Sequence, residues 1–213
     1  METVRFPTSD GLSLEGELRM PEDGQRGSAV LCHAHPRFGG SKDHPILWAI
    51  RNELAQRGFA VLAFNFRGTM GSDGTYGGGR TETLDVTAAI GRVRQISDGA
   101  TVLVGWSFGA NVALRVALED ERVGALVLIG FPLTHDLDLP DTPSSAELRR
   151  FRRPVLLLSG EHDAYSPPEA LRALGRSFPN ARVEIVSGTD HYLWRHEREA
   201  AGTIGAFAEA LVT

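Results

Sequence analysis

Six short, almost continuously apolar runs alternate along the chain with stretches of helical spacing, and this alternation limits the possible folds more than any other sequence feature. The apolar runs cover residues 29–34, 59–66, 101–105, 125–130, 154–160 and 182–188. The stretches of helical spacing cover residues 45–57, 80–97, 108–120, 167–178 and 194–212. Such apolar runs suit strands that are buried on both faces. The alternation therefore predicts an α/β fold, with a mostly parallel central sheet and helices on both faces.

The N-terminal region follows a different pattern. The segments VRFPT and LSLEGELRM flank the turn sequence SDG and alternate apolar with polar residues. This predicts an antiparallel hairpin with one face in water. No segment of the 213 residues has the composition of a linker, so a single domain is expected over residues 1–213.

Composition excludes some classes of partner. The chain has 22 basic and 27 acidic residues and a formal net charge of −5, so no binding to nucleic acid or to an anionic membrane surface is expected. The start METVRFPTSDG lacks the features of a signal peptide, and no apolar run is long enough to cross a bilayer. The one cysteine, Cys32, lies in an apolar run and has no internal disulfide partner. A cytoplasmic location is expected.

A serine between two glycines is the strongest functional signal. The sequence GWSFG, residues 105–109, follows the apolar run TVLV and precedes the helical stretch ANVALRVALED. This is the strand, turn and helix context of a nucleophile elbow, which would hold the hydroxyl of Ser107 out from the sheet edge. Gly105 and Gly109 then have a steric role, because strand and helix pass too closely for side chains there.

A serine nucleophile needs a base and a group that orients the base. Asp163 follows the apolar run PVLLLSG, and His191 follows the next run, RVEIVSG. Because parallel strands end at one edge of a sheet, Ser107, Asp163 and His191 are expected to meet there in the chain order serine, aspartate, histidine.

Both assignments have competitors. His196 competes with His191 but falls in the first turns of the last predicted helix. Three carboxylates compete with Asp163, namely Glu161, Asp136 and Asp138.

Acyl transfer also needs donors for the negative charge that develops on the carbonyl oxygen. One candidate is the backbone amide of Phe108, the residue after the serine. The other is the amide of His35, because residues 33–36 (HAHP) take the places of an H-G-x-P turn after the first parallel strand. These two amides are the predicted oxyanion hole.

No metal or cofactor is expected. His33 and His35 alternate at a strand end and would point to opposite faces, and no carboxylate or cysteine set completes a zinc pattern. The spacing of His44 is too loosely related to theirs to complete one. The glycine-rich segment RGTMGSDGTYGGGR, residues 67–80, fits neither a P-loop nor a dinucleotide-binding pattern.

Two arginine-containing segments have open interpretations. Arg67 stands at a strand end, where it contacts either a substrate carboxylate or loop carbonyls. The segment RRFRRP, residues 149–154, is either a binding site for an anion or a solvated loop.

Several motifs in a fixed order resemble those of α/β-hydrolases, in particular the small bacterial hydrolases near the dienelactone hydrolase branch. They are HAHPRFGG, FNFRGTMGSDGTYGGGRTETLD, GWSFGAN, GEHD and DHYL, and they span nearly all of the chain from residue 29 onward. The resemblance implies an α/β-hydrolase fold and serine-dependent hydrolysis, with Ser107, Asp163 and His191 at the matched catalytic positions. Dienelactone hydrolases use a cysteine nucleophile, so Ser107 argues against that exact activity.

Many members of the superfamily carry a helical cap between two of the later strands. Here the corresponding interval, residues 131–153, is too short for more than one or two helices. We therefore expect little or no cap domain and an open pocket.

The sequence as a whole predicts a cofactor-free serine hydrolase that cleaves a small carboxylic ester or thioester through an acyl-enzyme. Three alternatives remain: a peptide or amide hydrolase, a cofactor-free haloperoxidase-like activity on the same site, and a non-catalytic binding module that retains the fold.

Overall fold

The computed structural model describes residues 1–99, 101–133 and 139–212. The strands of this part of the chain are β1 (Glu2–Pro7), β2 (Ser13–Arg19), β3 (Gly27–Cys32), β4 (Phe59–Phe64), β5 (Thr101–Trp106), β6 (Val123–Ile129), β7 (Val155–Gly160) and β8 (Ala181–Val186). Its α-helices are α1 (Pro45–Gln56), α2 (Glu82–Arg94), α3 (Phe108–Glu119), α4 (Ser145–Leu148), α5 (Pro168–Gly175) and α6 (Glu197–Glu209). A 3₁₀ turn covers Pro36–Phe38.

The strands form one eight-stranded sheet in the order β1-β2-β4-β3-β5-β6-β7-β8. The hairpin β1–β2 is antiparallel and joins the sheet antiparallel to β4. From β4 to β8 all neighbours are parallel. Strand β4 pairs with β3 on one side, whereas β5, β6, β7 and β8 are added in turn on the other side of β3. The carboxyl ends of β3 and β5 therefore flank the topological switch point, where open α/β sheets bind ligands.

Two apolar layers cover the sheet. Helices α2, α3 and α5 pack on one face with side chains such as Val30 and Leu103, and α1 and α6 pack on the other with Leu31 and Val104. Because successive strand residues point to opposite faces, the continuous apolar runs supply both layers. The predicted fold class is confirmed, including the N-terminal hairpin and the helices on both faces.

Strand β8 differs from the prediction of burial on both faces. It lies at the edge of the sheet and is largely half-buried, with Arg182 exposed. An edge strand has a neighbour on one side only, so its side chains remain partly in water.

The segment between β6 and β7 is small, as predicted. Its described residues, 130–133 and 139–154, contain one helix, the four-residue α4. Among the described helices, none combines the length and apolar character that crossing a bilayer requires.

Candidate active site

Ser107 lies in a strained turn between β5 and α3. Its backbone has φ 55° and ψ −114°, a positive φ that a side chain makes unfavourable, and α3 begins at the next residue. The Ser107 amide donates to the Ile129 carbonyl at the end of β6 over 2.8 Å. The serine is 5% exposed. The turn thus fixes the serine at the carboxyl edge of the sheet.

The two glycines around the serine allow this turn. A Cβ atom on Gly105 would overlap the Gly109 carbonyl and come within 2.6 Å of the Ala110 Cα. A Cβ atom on Gly109 would lie 2.6 Å from the His33 carbonyl oxygen. The backbone of α3 therefore approaches both β5 and the end of β3 more closely than any side chain would permit.

His191 and Asp163 form a hydrogen-bonded pair. The distance from His191 Nδ1 to Asp163 Oδ2 is 2.8 Å, and both side chains are buried. The other carboxylate oxygen, Oδ1, accepts the backbone amides of Tyr165 and Ser166, each at 2.9 Å. Opposite a carboxylate oxygen that accepts, Nδ1 is the donor, and in a neutral imidazole this leaves the lone pair on Nε2. The pair therefore holds the imidazole in the tautomer that a general base needs.

The end of β6 contacts both the His191–Asp163 pair and the serine turn. Gly130 has φ +53°, and a Cβ atom there would lie 2.9 Å from His191 Cε1 and Nδ1 and 3.1 Å from Asp163 Oδ2. The neighbouring residue, Ile129, accepts the amide of Ser107. Trp106, which precedes the serine, donates its indole N–H to the His191 carbonyl over 3.2 Å. The strand ends thus bring the serine turn and the histidine loop together.

Gly130 and Trp106 were not singled out from the sequence. The available signal for Gly130 was its place at the end of the apolar run 125–130, where a parallel strand reaches the same edge as the serine. Nothing in the sequence pattern indicated the indole bond of Trp106, because it joins residues 85 positions apart.

The loop after β3 places His35 beside Phe108. Their rings have centroids 5.2 Å apart, and the His35 carbonyl accepts the amides of Phe38 and Gly40. His35 Nδ1 accepts the Arg37 amide at 3.2 Å, and Nε2 lies 3.0 Å from the Tyr76 hydroxyl. Phe108 is the first residue of α3, and the first amides of an α-helix have no acceptor within the helix. The two predicted oxyanion residues are therefore neighbours, and their role stays a prediction.

Two of the histidines that could suggest a metal site, His33 and His44, make hydrogen bonds that hold the fold. His33 Nε2 accepts the Phe66 amide at 3.0 Å, and Nδ1 lies 2.6 Å from the Ala34 carbonyl. Burial lowers the pKa of His33 to about 4, so its ring is neutral near pH 7. His44 Nδ1 accepts the Ile46 amide and caps α1. Within the described ranges, no three His, Cys, Asp or Glu side chains are grouped in a way that could hold a metal ion.

The competing residues have other positions. Glu161 is exposed and accepts the Gly188 amide at 2.9 Å. His196 precedes α6, and its Nδ1 lies 3.0 Å from the Trp194 carbonyl. Asp136 and Asp138 lie outside the described residues. Of the acidic candidates that the structure describes, Asp163 is the one in contact with His191.

One arginine in each of the two segments is bound to the protein itself. Arg67 donates to the carboxylates of Asp85 and Asp10, so neither the substrate carboxylate nor the loop carbonyls considered from the sequence is its partner. Arg153 donates to the carbonyls of Asp120 and Val123, each at 2.7 Å, beyond the end of α3. This side chain of the segment 149–154 is therefore a structural contact.

The fold agrees with sequence and structure comparisons. Residues 27–211 match the family described as alpha/beta hydrolase domain, so the chain belongs to that family. Uncharacterized protein RP471 of Rickettsia prowazekii is 24% identical over 209 residues, which cover 93% of this chain and 84% of that protein. Other relatives are longer, and the chain spans about half of their length, 45% and 55% in two cases.

Solved structures share the whole fold. A member of the α/β serine hydrolases from Xanthomonas campestris, described as having no lid, superposes with a TM-score of 0.84 at 23% identity and covers 99% of this chain and 94% of that one. The esterase Pf2001 from Pyrococcus furiosus gives a TM-score of 0.84 at 20% identity, covering 100% of this chain and 93% of that one. The family and its fold support hydrolase activity for this chain.

Proposed function

We propose that the protein is a serine hydrolase that cleaves a small carboxylic ester or thioester through an acyl-enzyme. The observation that carries the proposal is the bond of 2.8 Å between His191 and Asp163, at the sheet edge where Ser107 occupies its strained turn. A carboxylate bonded to a histidine, at the sheet edge that also carries an elbow serine, supports the assignment of a catalytic triad. The similarity to an esterase structure adds support for ester substrates.

Each residue has one role in the proposed reaction. Ser107 Oγ attacks the carbonyl carbon while its proton passes to His191 Nε2, and the amides of Phe108 and His35 stabilise the resulting oxyanion. The bond to the leaving oxygen or sulfur then breaks as His191 returns the proton to that atom. Water attacks the acyl-enzyme, gives a proton to His191, and the acid leaves as the proton returns to Ser107. Asp163 stabilises the transient imidazolium.

The substrate is proposed to be a small molecule, and the reaction needs no cofactor. The short segment between β6 and β7 supports an open pocket that is suited to small or exposed esters. The net charge of −5 supports the absence of nucleic-acid and membrane partners. A cytoplasmic location is likewise a proposal, supported by the single buried thiol of Cys32.

A paired substrate panel tests this function. Nitrophenyl esters and acyl-CoA thioesters are assayed with the wild type, Ser107→Ala and Asp163→Asn, and a fluorophosphonate probe is used to label the serine. We expect turnover and labelling in the wild type, neither in Ser107→Ala, and a loss of about 10⁴-fold in kcat for Asp163→Asn, where the wrong tautomer is held.

The same panel separates the alternatives. Cleavage of peptides or amides in preference to esters would indicate the peptidase alternative, and peroxide-dependent halogenation would indicate the haloperoxidase alternative. A folded wild-type protein that neither reacts with the fluorophosphonate nor cleaves any ester or thioester would overturn the proposal in favour of a binding module.

A further inference from the structure

Two exposed aromatic side chains lie one and three residues after the candidate base. Tyr192 and Trp194 are 44% and 50% exposed, whereas tryptophan is on average highly buried. Their rings are stacked, with centroids 6.3 Å apart and an angle of 23° between the planes. We call this pair the aromatic ledge.

The aromatic ledge is connected to His191 by ring contacts on two sides. On one side, Tyr192 meets the imidazole edge to face, with centroids 5.7 Å apart. On the other side, Trp194 contacts His44 at 5.4 Å, His44 contacts Trp106 at 4.3 Å, and Trp106 contacts His191 at 6.0 Å. The ledge is therefore part of a closed ring of five aromatic side chains that includes the candidate base.

The backbone holds the ledge in its exposed position. Leu193 and Arg195, on either side of Trp194, have φ values of 55° and 68°, which are unfavourable for side-chain-bearing residues. Leu193 is buried, and its amide and carbonyl both bond within the loop, to Asp190 and His196. Such strain persists where the surrounding structure fixes it, and it is concentrated at functional sites. The exposure of Trp194 is thus imposed by the loop.

The proposed mechanism determines which half of the substrate meets the ledge. His191 must give its proton to the leaving atom, so that atom comes within hydrogen-bond distance of the imidazole. The acyl half is attached to Ser107 at the same moment. Tyr192 contacts the imidazole, and Trp194 stacks on Tyr192, so the ledge is exposed aromatic surface next to the group that must meet the leaving atom.

We infer that the aromatic ledge binds the leaving group and that the enzyme prefers esters of phenols and other flat aromatic alcohols. Two stacked, exposed rings offer a flat aromatic group a face and an edge for offset stacking, which a compact aliphatic alcohol cannot use. This inference rests on the proposed function and adds the class of leaving group to it.

Two acetate esters with leaving groups of similar acidity test the inference. In 2-naphthyl acetate the leaving group is flat and aromatic, whereas in hexafluoroisopropyl acetate it is not. Both esters form the same acetyl-enzyme, so any difference between them arises before deacylation. We expect Trp194→Ala to lower kcat/KM for the naphthyl ester by about tenfold and to leave that for the fluoroalkyl ester within about twofold.

A second tryptophan provides the matched control. Trp48 on α1 is 57% exposed and makes no ring contact within the part of the chain that the structure describes. Trp48→Ala removes the same side chain from outside the ledge, so we expect neither ester to change. If Trp194→Ala folds poorly, Trp194→Leu takes its place, because leucine keeps an apolar side chain without a ring. The same selective loss for the naphthyl ester is then expected.

The outcomes separate this inference from the proposed function. An equal loss for both esters would mean that Trp194 only supports His191, and no loss for either would mean that the ledge does not bind substrate. A loss of kcat/KM seen only with emulsified esters would mean that the ledge binds a lipid surface instead of the leaving group. Each of these results overturns the inference while fluorophosphonate labelling of Ser107 still supports the hydrolase. Failure of that labelling would instead overturn the function itself.

Discussion

At the scale of single residues, Gly130 determines how closely the end of β6 can approach the candidate base. It has no Cβ atom, and one would lie 2.9 Å from the imidazole of His191. We expect Gly130→Ala to displace the ring from its working position and to lower kcat/KM by about 100-fold, as a misplacement of about 1 Å can do. Steady-state kinetics and the rate of fluorophosphonate labelling measure this loss.

Gly188 provides the matched control for that substitution. Its φ is +72°, but no heavy atom lies within 4 Å of a Cβ built there. Gly188→Ala should therefore cost about 1–2 kcal/mol of backbone strain and keep full activity. Full activity in both variants would show that the close approach of Gly130 to the imidazole does not matter for catalysis.

His33 predicts a stability change in mild acid. Burial lowers its pKa from 6.5 to about 4, because its ring is enclosed and Nε2 must accept the Phe66 amide. The unfolded chain then binds the proton at higher pH than the folded chain, so the stabilisation is complete above the unfolded pKa and is lost as the pH falls toward 4. Lowering the pH from about 7.5 to about 5 should reduce the free energy of unfolding by about 2 kcal/mol through this residue.

Urea unfolding of the wild type and His33→Gln at those two pH values tests the assignment. The glutamine oxygen can accept the Phe66 amide but does not titrate. The free energy of unfolding should fall more steeply for the wild type, and the other titrating groups cancel in the comparison. An equal fall in the free energy of unfolding for the two proteins would contradict the assignment to His33.

Some residues of the candidate site can be predicted from the sequence pattern, and others cannot. Ser107, Asp163 and His191 could be selected because each follows an apolar run, and parallel strands end together. The role of Gly130 could not, since it depends on a contact between loops that are distant in sequence. The bond of His33 to Phe66 was equally hidden, because it depends on how β3 and β4 end side by side.

At the scale of secondary-structure elements, the contact between β5 and α3 depends on the glycines of the serine turn. Gly105→Ala would push a Cβ atom into the Gly109 carbonyl and the Ala110 Cα. We expect this to destabilise the protein by about 3 kcal/mol, the upper end of overpacking costs, and to lower the melting temperature accordingly. A melting temperature equal to that of the wild type would contradict the close approach.

Gly91 in α2 offers a comparison of opposite sign. A Cβ atom there would meet nothing closer than the Arg122 guanidinium at 3.8 Å, and its φ is not left-handed. Gly91→Ala should therefore raise stability by about 0.5–1 kcal/mol, the usual gain inside a helix. The same glycine-to-alanine change thus separates a tight contact from an open position.

The elements themselves were largely predictable, and the deviations have physical causes. The helix predicted over residues 80–97 covers Glu82–Arg94, because residues 77–81 belong to the turns that end the glycine-rich segment. Strand β8 was found in the predicted place but not with the predicted burial. The apolar content of a segment predicts that it forms a strand. Whether that strand lies at the edge of the sheet depends on the order in which the strands pair.

At the scale of the whole molecule, Arg67 joins three separate regions. Its guanidinium bonds Asp85 on α2 and Asp10 in the β1–β2 turn, and its own backbone continues from β4 into the glycine-rich segment. Burial raises the pKa of Asp85, and the Arg67 guanidinium opposes that rise. Arg67→Met should cost about 3–5 kcal/mol, because it leaves a buried carboxylate without its partner.

Chemical denaturation of three variants checks the role of this ion pair. Asp10→Asn removes the exposed partner and should change stability little. The double variant Arg67→Met, Asp85→Leu replaces the buried pair with apolar groups and should recover most of the stability lost in Arg67→Met. A double variant as unstable as the single one would contradict an ion-pair role for Arg67.

The order of the strands gives the two halves of the site unequal mechanical support. The serine follows β5, which has neighbours on both sides, whereas the histidine follows β8, the outermost strand. Local opening is easiest where fewest neighbours hold an element. Gentle warming should thus detach the candidate base while the serine turn is still intact, so that hydrolase activity fades at temperatures where circular dichroism still records a native sheet, and returns on cooling.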